Sequence, residues 1–260
     1  VAVVTSHAEL RVSIGGGVDL VSTDSGVRVE STSDLEEAVR DRLVAGAGEV
    51  VAAYARGGAV LHGSSVRWLG HGLSFVGPGC GGKSTLTAWL ATQGAELVSD
   101  GVTIADPDTR RLVWRRPAWR LNDDSVEFLG HPAQSLPFDD PFESKRMLEV
   151  ARGREVSDVK LEVVFALEEG PSVEIVSLSP MNQVVALMRD WYLVTGLPAS
   201  EAPVLLDRTS RLLRAGVRVA KLVRPRQWSV FPSVAAAVAA YLGVELAALL
   251  PRGTPEPEPS

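Results

Sequence analysis

The sequence predicts an α/β protein built on a mixed sheet, with a small β-rich lead-in at its N-terminal end. Three observations predict this. Residues 77–84 read Gly77-Pro78-Gly79-Cys80-Gly81-Gly82-Lys83-Ser84, the spacing G-x-x-x-x-G-K-S. A short apolar run, Leu73-Ser74-Phe75-Val76, precedes them, and a helix-forming run, STLTAWLAT over 84–92, follows. Strand-like and helix-like runs then interleave through most of the remaining chain, the pattern of a layered α/β structure. Strand, glycine-rich loop and helix in that order form a P-loop, so the core is read as nucleotide-binding.

Within the lead-in, Leu10-Arg11-Val12-Ser13-Ile14 alternates apolar and polar residues, as a half-buried strand does. Val18 to Val21 and Val27 to Val29 are further strands, set off by Gly15-Gly16-Gly17 and Thr23-Asp24-Ser25-Gly26. Ser33-x-x-Glu36 has capping-box form, with Leu35, Val39 and Leu43 at helical spacing behind it. That predicts a helix over 34–54, broken at Gly46 or Gly48. Residues 1–57 are thus expected as a β-rich lead-in and helix packed on a core spanning 58–250. Residues 251–260, PRGTPEPEPS, lack apolar side chains and are expected to be disordered.

Ala59-Val60-Leu61 opens the core as a strand. Gly70-His71-Gly72 is a turn signal, so the strand ending at 66–69 is expected to pair antiparallel with residues 73–76. After the P-loop helix, Gly94 serves as C-cap, and residues 95–100 form a strand ending in Asp100, expected beside the P-loop strand. A hairpin is expected across Asp106-Pro107-Asp108, then a short helix capped by Asn122 and running to Leu129. Residues 130–143 read as a long loop, followed by strands at 145–150, 159–167 and 173–177. Ser179-Pro180 starts a helix over 181–194, and further helices are expected at 202–215 and 234–250, with a strand at 217–223 between them.

At 260 residues the chain accommodates one sizeable α/β unit or two small ones. A formal net charge of −6 argues against nucleic-acid binding through a broad basic surface. Cys80 is the only cysteine, so there is no intramolecular disulfide and no multi-cysteine metal site. No leader-like segment and no membrane-length apolar run are read, and the expected location is the cytoplasm.

The motif itself specifies chemistry. Four glycines in eight residues let backbone N–H groups turn inward around a polyphosphate, where side chains would obstruct. Gly77, Pro78, Gly79, Cys80, Gly81, Gly82, Lys83, Ser84 and Thr85 are therefore the expected ATP contacts. Lys83 reaches the β- and γ-phosphates and the Ser84 hydroxyl ligates Mg²⁺. Asp100, at a strand's carboxyl end, is on the edge where α/β sheets take ligands. From position it is either a base or a Walker-B-like acid contacting Mg²⁺. His62 precedes two serines at a predicted strand end, where a hydrogen-bonded structural histidine is one reading. His71 and His131 are expected in solvent. Lys145 and Arg146 are either a phosphate clamp or a solvated strand end. Trp114, Arg115, Arg116, Trp119 and Arg120 form a basic aromatic stretch that grips an anion or packs.

Residues 61–66 (LHGSSV), the P-loop run 75–86 and 94–100 (GAELVSD) together resemble the HPr-kinase-like family. That family includes HPr serine kinase/phosphorylase, kinases that modify lasso peptides, and free-serine kinases, and shares its P-loop core with phosphoenolpyruvate carboxykinase. The resemblance covers 58–106 closely, and 120–126 and 145–148 loosely. It implies ATP- and Mg²⁺-dependent transfer of a phosphoryl group to a serine-like hydroxyl of a peptide, protein or small metabolite. It also implies that Asp100 takes the hydroxyl proton, that His62 lies near the phosphates, and that the chain assembles into homo-oligomers. Two departures stand out. Gly101 occupies the place of the family's second aspartate, with Asp106 and Asp108 the next acids along. The E-x-R-G-x-G signature of true HPr kinases is also absent, with Arg152-Gly153-Arg154 an echo of it, so HPr is not the expected substrate. The competing reading is a nucleotide-binding regulatory protein whose transfer activity is lost or reduced to hydrolysis.

Overall fold

The computed structural model describes residues 2–5, 10–15, 17–23, 26–113, 118–138, 145–149, 158–192 and 197–245. The lead-in strands β1 (Ala2–Thr5), β2 (Leu10–Gly15), β3 (Val18–Thr23) and β4 (Gly26–Ser31) pair antiparallel in chain order. Their alternation turns Leu10, Val12, Leu20 and Val29 inward. The helix expected over 34–54 is three pieces: α1 (Glu37–Leu43), a π-helical turn Val44–Gly48, and α2 (Glu49–Ala55). Its capping box does not form. Glu36 occupies the cap without a side-chain bond, and its backbone carbonyl accepts from Val39 and Arg40. The break expected at Gly46 or Gly48 is this π turn, where one extra residue is fitted into the helical ladder.

The core begins with β5 (Ala59–Leu61), β6 (Gly63–Trp68) and β7 (His71–Val76). β6 and β7 form the expected hairpin, with Val66 opposite Leu73. Its turn is Leu69-Gly70, both at positive φ (53° and 84°), as a primed two-residue turn requires. His71 and Gly72 therefore belong to β7 and not to the turn. The P-loop and α3 (Lys83–Thr92) follow, then β8 (Glu96–Ser99) and β9 (Thr103–Ala105). Gly94, at φ 84°, closes α3 through bonds from Gly94 N–H to Ala91 and from Ala95 N–H to Leu90.

Downstream are β10 (Ala118–Leu121), α4 (Asp123–Phe128), β11 (Arg146–Glu149), β12 (Leu161–Glu169), β13 (Glu174–Ser177), α5 (Pro180–Arg189), α6 (Ala202–Arg214), β14 (Arg218–Arg224) and α7 (Phe231–Leu242). β10, absent from the sequence reading, pairs antiparallel with β11. Asn122 precedes α4 but its side chain makes no cap bond. Ser179 caps α5 as expected, accepting from Asn182 N–H, but α5 ends at Arg189, short of 194. α7 starts before Val234 and stops at Gly243, which is left-handed at φ 74°. Trp114 to Pro117, residues 139–144, Arg152 to Arg154, and the tail 251–260 lie outside the described residues.

The central sheet has the order β13-β14-β12-β7-β6-β8. β14, β12, β7 and β8 run one way, and β13 and β6 run against them. The sheet is mixed, as the sequence predicts. The middle of β12, Val163 to Leu167, is continuously apolar because both of its faces are covered. Leu161, Val164 and Ala166 face the cluster formed with the lead-in, α2, α5 and α6, while Val163, Phe165 and Leu167 face α3 and α7. Phe75 and Phe165 stack across β7 and β12 at 5.5 Å. Below the P-loop edge, buried hydroxyls tie the elements together: Ser64 to Thr87 at 2.7 Å, Ser65 to Ser99 at 2.7 Å, and Ser74 to Thr103 at 2.8 Å. Buried polar groups that satisfy one another in this way add register as well as cohesion.

Candidate functional site

The sheet directions gather the carboxyl ends of β7, β8 and β14 at one edge. β7 delivers the P-loop there, β8 delivers Asp100 and β14 delivers Arg224. β6 runs the opposite way, so its start lies at the same edge, and His62 immediately precedes it. Asp100 was expected on the strand beside the P-loop strand. Instead β6 intervenes, so along the edge His62 lies between the P-loop and Asp100. The edge opens into a cleft of about 880 Å³.

The P-loop leaves β7 at Gly77 (φ 140°) and enters α3 through Gly82 (φ 79°), conformations an L side chain resists. Lys83 is only 7% exposed. Its ammonium donates to the carbonyls of Gly77 and Pro78, each at 2.9 Å. Burial pulls its pKa below the ordinary lysine value, against the opposing pull of the Asp190 and Asp100 carboxylates. Ser84 lines the cleft with residues 79–85. The Thr85 hydroxyl donates to Ser125 Oγ at 3.0 Å, tying α3 to α4. Cys80 is exposed, unpaired and left-handed at φ 55°.

Asp100 lines the same cleft. Its Oδ2 accepts from the backbone N–H of Arg120 at 2.9 Å, so β10 fixes the carboxylate's orientation. Its Oδ1 is buried and has no hydrogen-bond partner among the described residues. Such an orphan acceptor calls for a proton donor or a cation. The donor set suits Mg²⁺ held jointly with a nucleotide: a Ser84 hydroxyl, the Asp100 oxygen, and phosphate oxygens in place of a dedicated protein cage. The described residues contain no cluster of three or more His, Cys, Asp or Glu that could hold a metal ion.

His62 is half-buried, its ring edge-on to Tyr192 at 5.9 Å. Burial, then the charges of Lys83 and Lys145, push its pKa down to about 4. The lowered pKa favours the neutral imidazole, which can donate or accept a hydrogen bond. Lys145 lines the cleft within electrostatic reach of Lys83 and His62. Arg146 does not share that placement. It pairs with Asp123 at 2.8 Å, bonds the Leu136 carbonyl, and covers the Phe138 ring. The two halves of the Lys-Arg pair thus serve different places: Lys145, before β11, lines the cleft, and Arg146, its first residue, pairs with Asp123.

Other expectations resolve elsewhere. His71 is not free in solvent; its Nδ1 lies 2.8 Å from Glu162 Oε2. His131 is exposed. Asp106 holds its own turn through Thr109 and Asp108, and Asp108 pairs with Arg211, so neither acid replaces the one missing at Gly101. Trp119 packs inside and donates to Thr87.

Three features escaped the sequence reading. Arg224, the last residue of β14, and Arg226, just beyond it, line the cleft and bond the Gly81 and Cys80 carbonyls of the P-loop. A signal was present: basic residues at the end of a strand that faces the ligand edge. Asp190 is 7% exposed, lies 3.4 Å from Arg189 and accepts His62 N–H through its backbone carbonyl at 2.7 Å. Burial raises its carboxyl, while Arg189 and then Lys83 draw it back. The π turn of the lead-in supplies a wall of the cleft through Ala45, Gly46 and Ala47. No periodicity reveals these last two.

No family model and no curated protein matches the chain. Among solved structures it is similar to the Hpr(Ser) kinase/phosphatase from Coxiella burnetii, at 12% identity and a TM-score of 0.36, over 70% of this chain and 90% of that one.

Proposed function

We propose that the chain is an ATP-dependent kinase that transfers the γ-phosphoryl group to a serine-like hydroxyl of a peptide, protein or small metabolite. One observation carries the reading: a P-loop between strand and helix shares its cleft with an acid, Asp100, that has one oxygen anchored and the other unengaged. Phosphoryl transfer requires the phosphates held, their charge offset and a nucleophile aligned. The loop amides and Lys83 hold and offset the β- and γ-phosphates, and Lys145 adds charge from the facing loop. Ser84 would hold Mg²⁺, which would supply further charge neutralisation at the phosphates, and Asp100 Oδ1 is kept for the acceptor proton. Asp100 Oδ1 accepts the proton of the acceptor hydroxyl as its oxygen bonds to phosphorus; the bond to ADP breaks and ADP leaves with that electron pair. The neutral His62, just before the intervening strand, orients the acceptor or the carboxylate by a hydrogen bond. No helix among the described residues is long and apolar enough to cross a membrane.

The test is phosphoryl transfer from ATP·Mg²⁺ to a panel of hydroxyl amino acids, sugars and serine peptides. Asp100→Asn is expected to lower transfer by about 10²- to 10⁴-fold while ATP still binds. Full transfer by that variant sinks the base assignment. ATP binding with no acceptor ever labelled would favour the regulatory reading, with Gly101 marking the lost acid.

A further inference from the structure

Two arginines that line the cleft beside residues 79–85 hold carbonyls of the P-loop. Arg224, the last residue of β14, is 5% exposed and donates through its guanidinium to the Gly81 carbonyl at 2.7 Å and to the Pro225 carbonyl at 3.2 Å. Arg226, two residues on and exposed, donates to the Cys80 carbonyl at 2.9 Å. Two successive carbonyls of the loop are thus clasped by cations from a strand two places away in the sheet.

We propose that Arg224 and Arg226 are positioning residues that pre-set the P-loop for nucleotide; this rests on reading residues 77–84 as the triphosphate site. A trans peptide is planar, with its C=O and N–H pointing opposite ways. Holding the Gly81 carbonyl against Arg224 therefore directs the Gly82 N–H to the other side of the loop. Holding the Cys80 carbonyl fixes the Gly81 N–H, which donates to the Pro78 carbonyl at 3.1 Å within the loop. Glycines at 79, 81 and 82 leave these peptides free to rotate, and a rotated unit would present a carbonyl oxygen to a phosphate. The clasp removes that alternative.

Two details fit a role beyond packing. Arg224 is buried with its Nε unpartnered among the described residues, an arrangement a merely structural contact does not need. Gly82 is also matched to it: a Cβ there would lie 2.7 Å from an Arg224 guanidinium nitrogen. The strand end and the loop are therefore specified together.

Binding of mant-ADP with Mg²⁺ to the full chain tests this. Arg226 is exposed, so Arg226→Ala is expected to melt as the wild type does yet bind about tenfold more weakly, the scale of one hydrogen bond to a charged group. Arg226→Lys, which retains one donor, recovers part of the loss, and Arg224→Lys weakens binding in the same direction. The deficit persists at about 1 M salt, where the Debye length is about 3 Å and long-range attraction is screened. Wild-type affinity in Arg226→Ala, or a deficit that vanishes at high salt, overturns the clasp while leaving the nucleotide site intact. A wild-type chain that binds no nucleotide overturns both.

Discussion

His62 has its charge set chiefly by burial. With its ring half-buried and Lys83 and Lys145 nearby, its pKa falls from the usual 6.5 to about 4. The unfolded chain therefore binds a proton between those values that the native state refuses. His62 contributes stability that is complete above about pH 6.5 and is lost as pH falls toward 4. An NMR titration is expected to show one histidine that stays neutral down to pH 5 and titrates near 4. Its pKa should rise when ADP binds, since phosphate charge offsets the lysines. A free-protein value near 6.5 would mean the ring is solvated and the lysines do not act on it. Of the residues in this constellation, the motif itself announces Lys83 and Ser84. Asp190, whose charge also acts on Lys83, belongs to no local pattern, because it is tied to the site through the backbone of His62, distant in sequence.

Among the elements, the hairpin and the π turn give glycine opposite meanings. Gly72 lies where β7 crosses the irregular start of β12, and a Cβ there would fall 2.2 Å from the Lys160 carbonyl oxygen. Backbone cannot yield as a flexible side chain can, so Gly72→Ala is expected to cost about 1–3 kcal/mol in denaturant unfolding. Gly46, in the π turn, has nothing within 4 Å of the same atom and is not at positive φ. Gly46→Ala should be neutral or stabilise by up to about 1 kcal/mol, chiefly by restricting the unfolded chain. Equal destabilisation by both substitutions would contradict the placement of these two segments. The sequence marks both positions only as turn or break signals. Close approach to a neighbouring backbone, which separates them, has no local signature.

For the molecule as a whole, the lead-in and the P-loop core share one apolar cluster. Leu10, Val12, Leu20 and Val29 join Val60, Val76, Val98 and Leu161 in it, and the π turn reaches the cleft. A shared core couples their stabilities. Circular dichroism and tryptophan fluorescence should therefore report coincident unfolding, although the six tryptophans all lie beyond residue 57. Leu20→Ala, in the lead-in and fully buried, should shift both signals together by about 2–5 kcal/mol. A fluorescence transition left unmoved would make the lead-in an independent unit.

The sequence by itself determined the local units: the strand-loop-helix of the P-loop, the hairpin before it, the capped start of α5, and a strand closing in Asp100. Each is encoded by residues within a few positions of one another, through glycine conformations, apolar period and caps. Only the tertiary structure decided what those units bring together. It put His62, just before β6, between the P-loop and Asp100, sent Lys145 into the cleft and Arg146 to Asp123, and laid Arg224 and Arg226 over the loop's carbonyls. Strand order and direction settle such meetings, and they follow from burying both faces of one sheet at once, a condition on the entire chain that no short stretch contains.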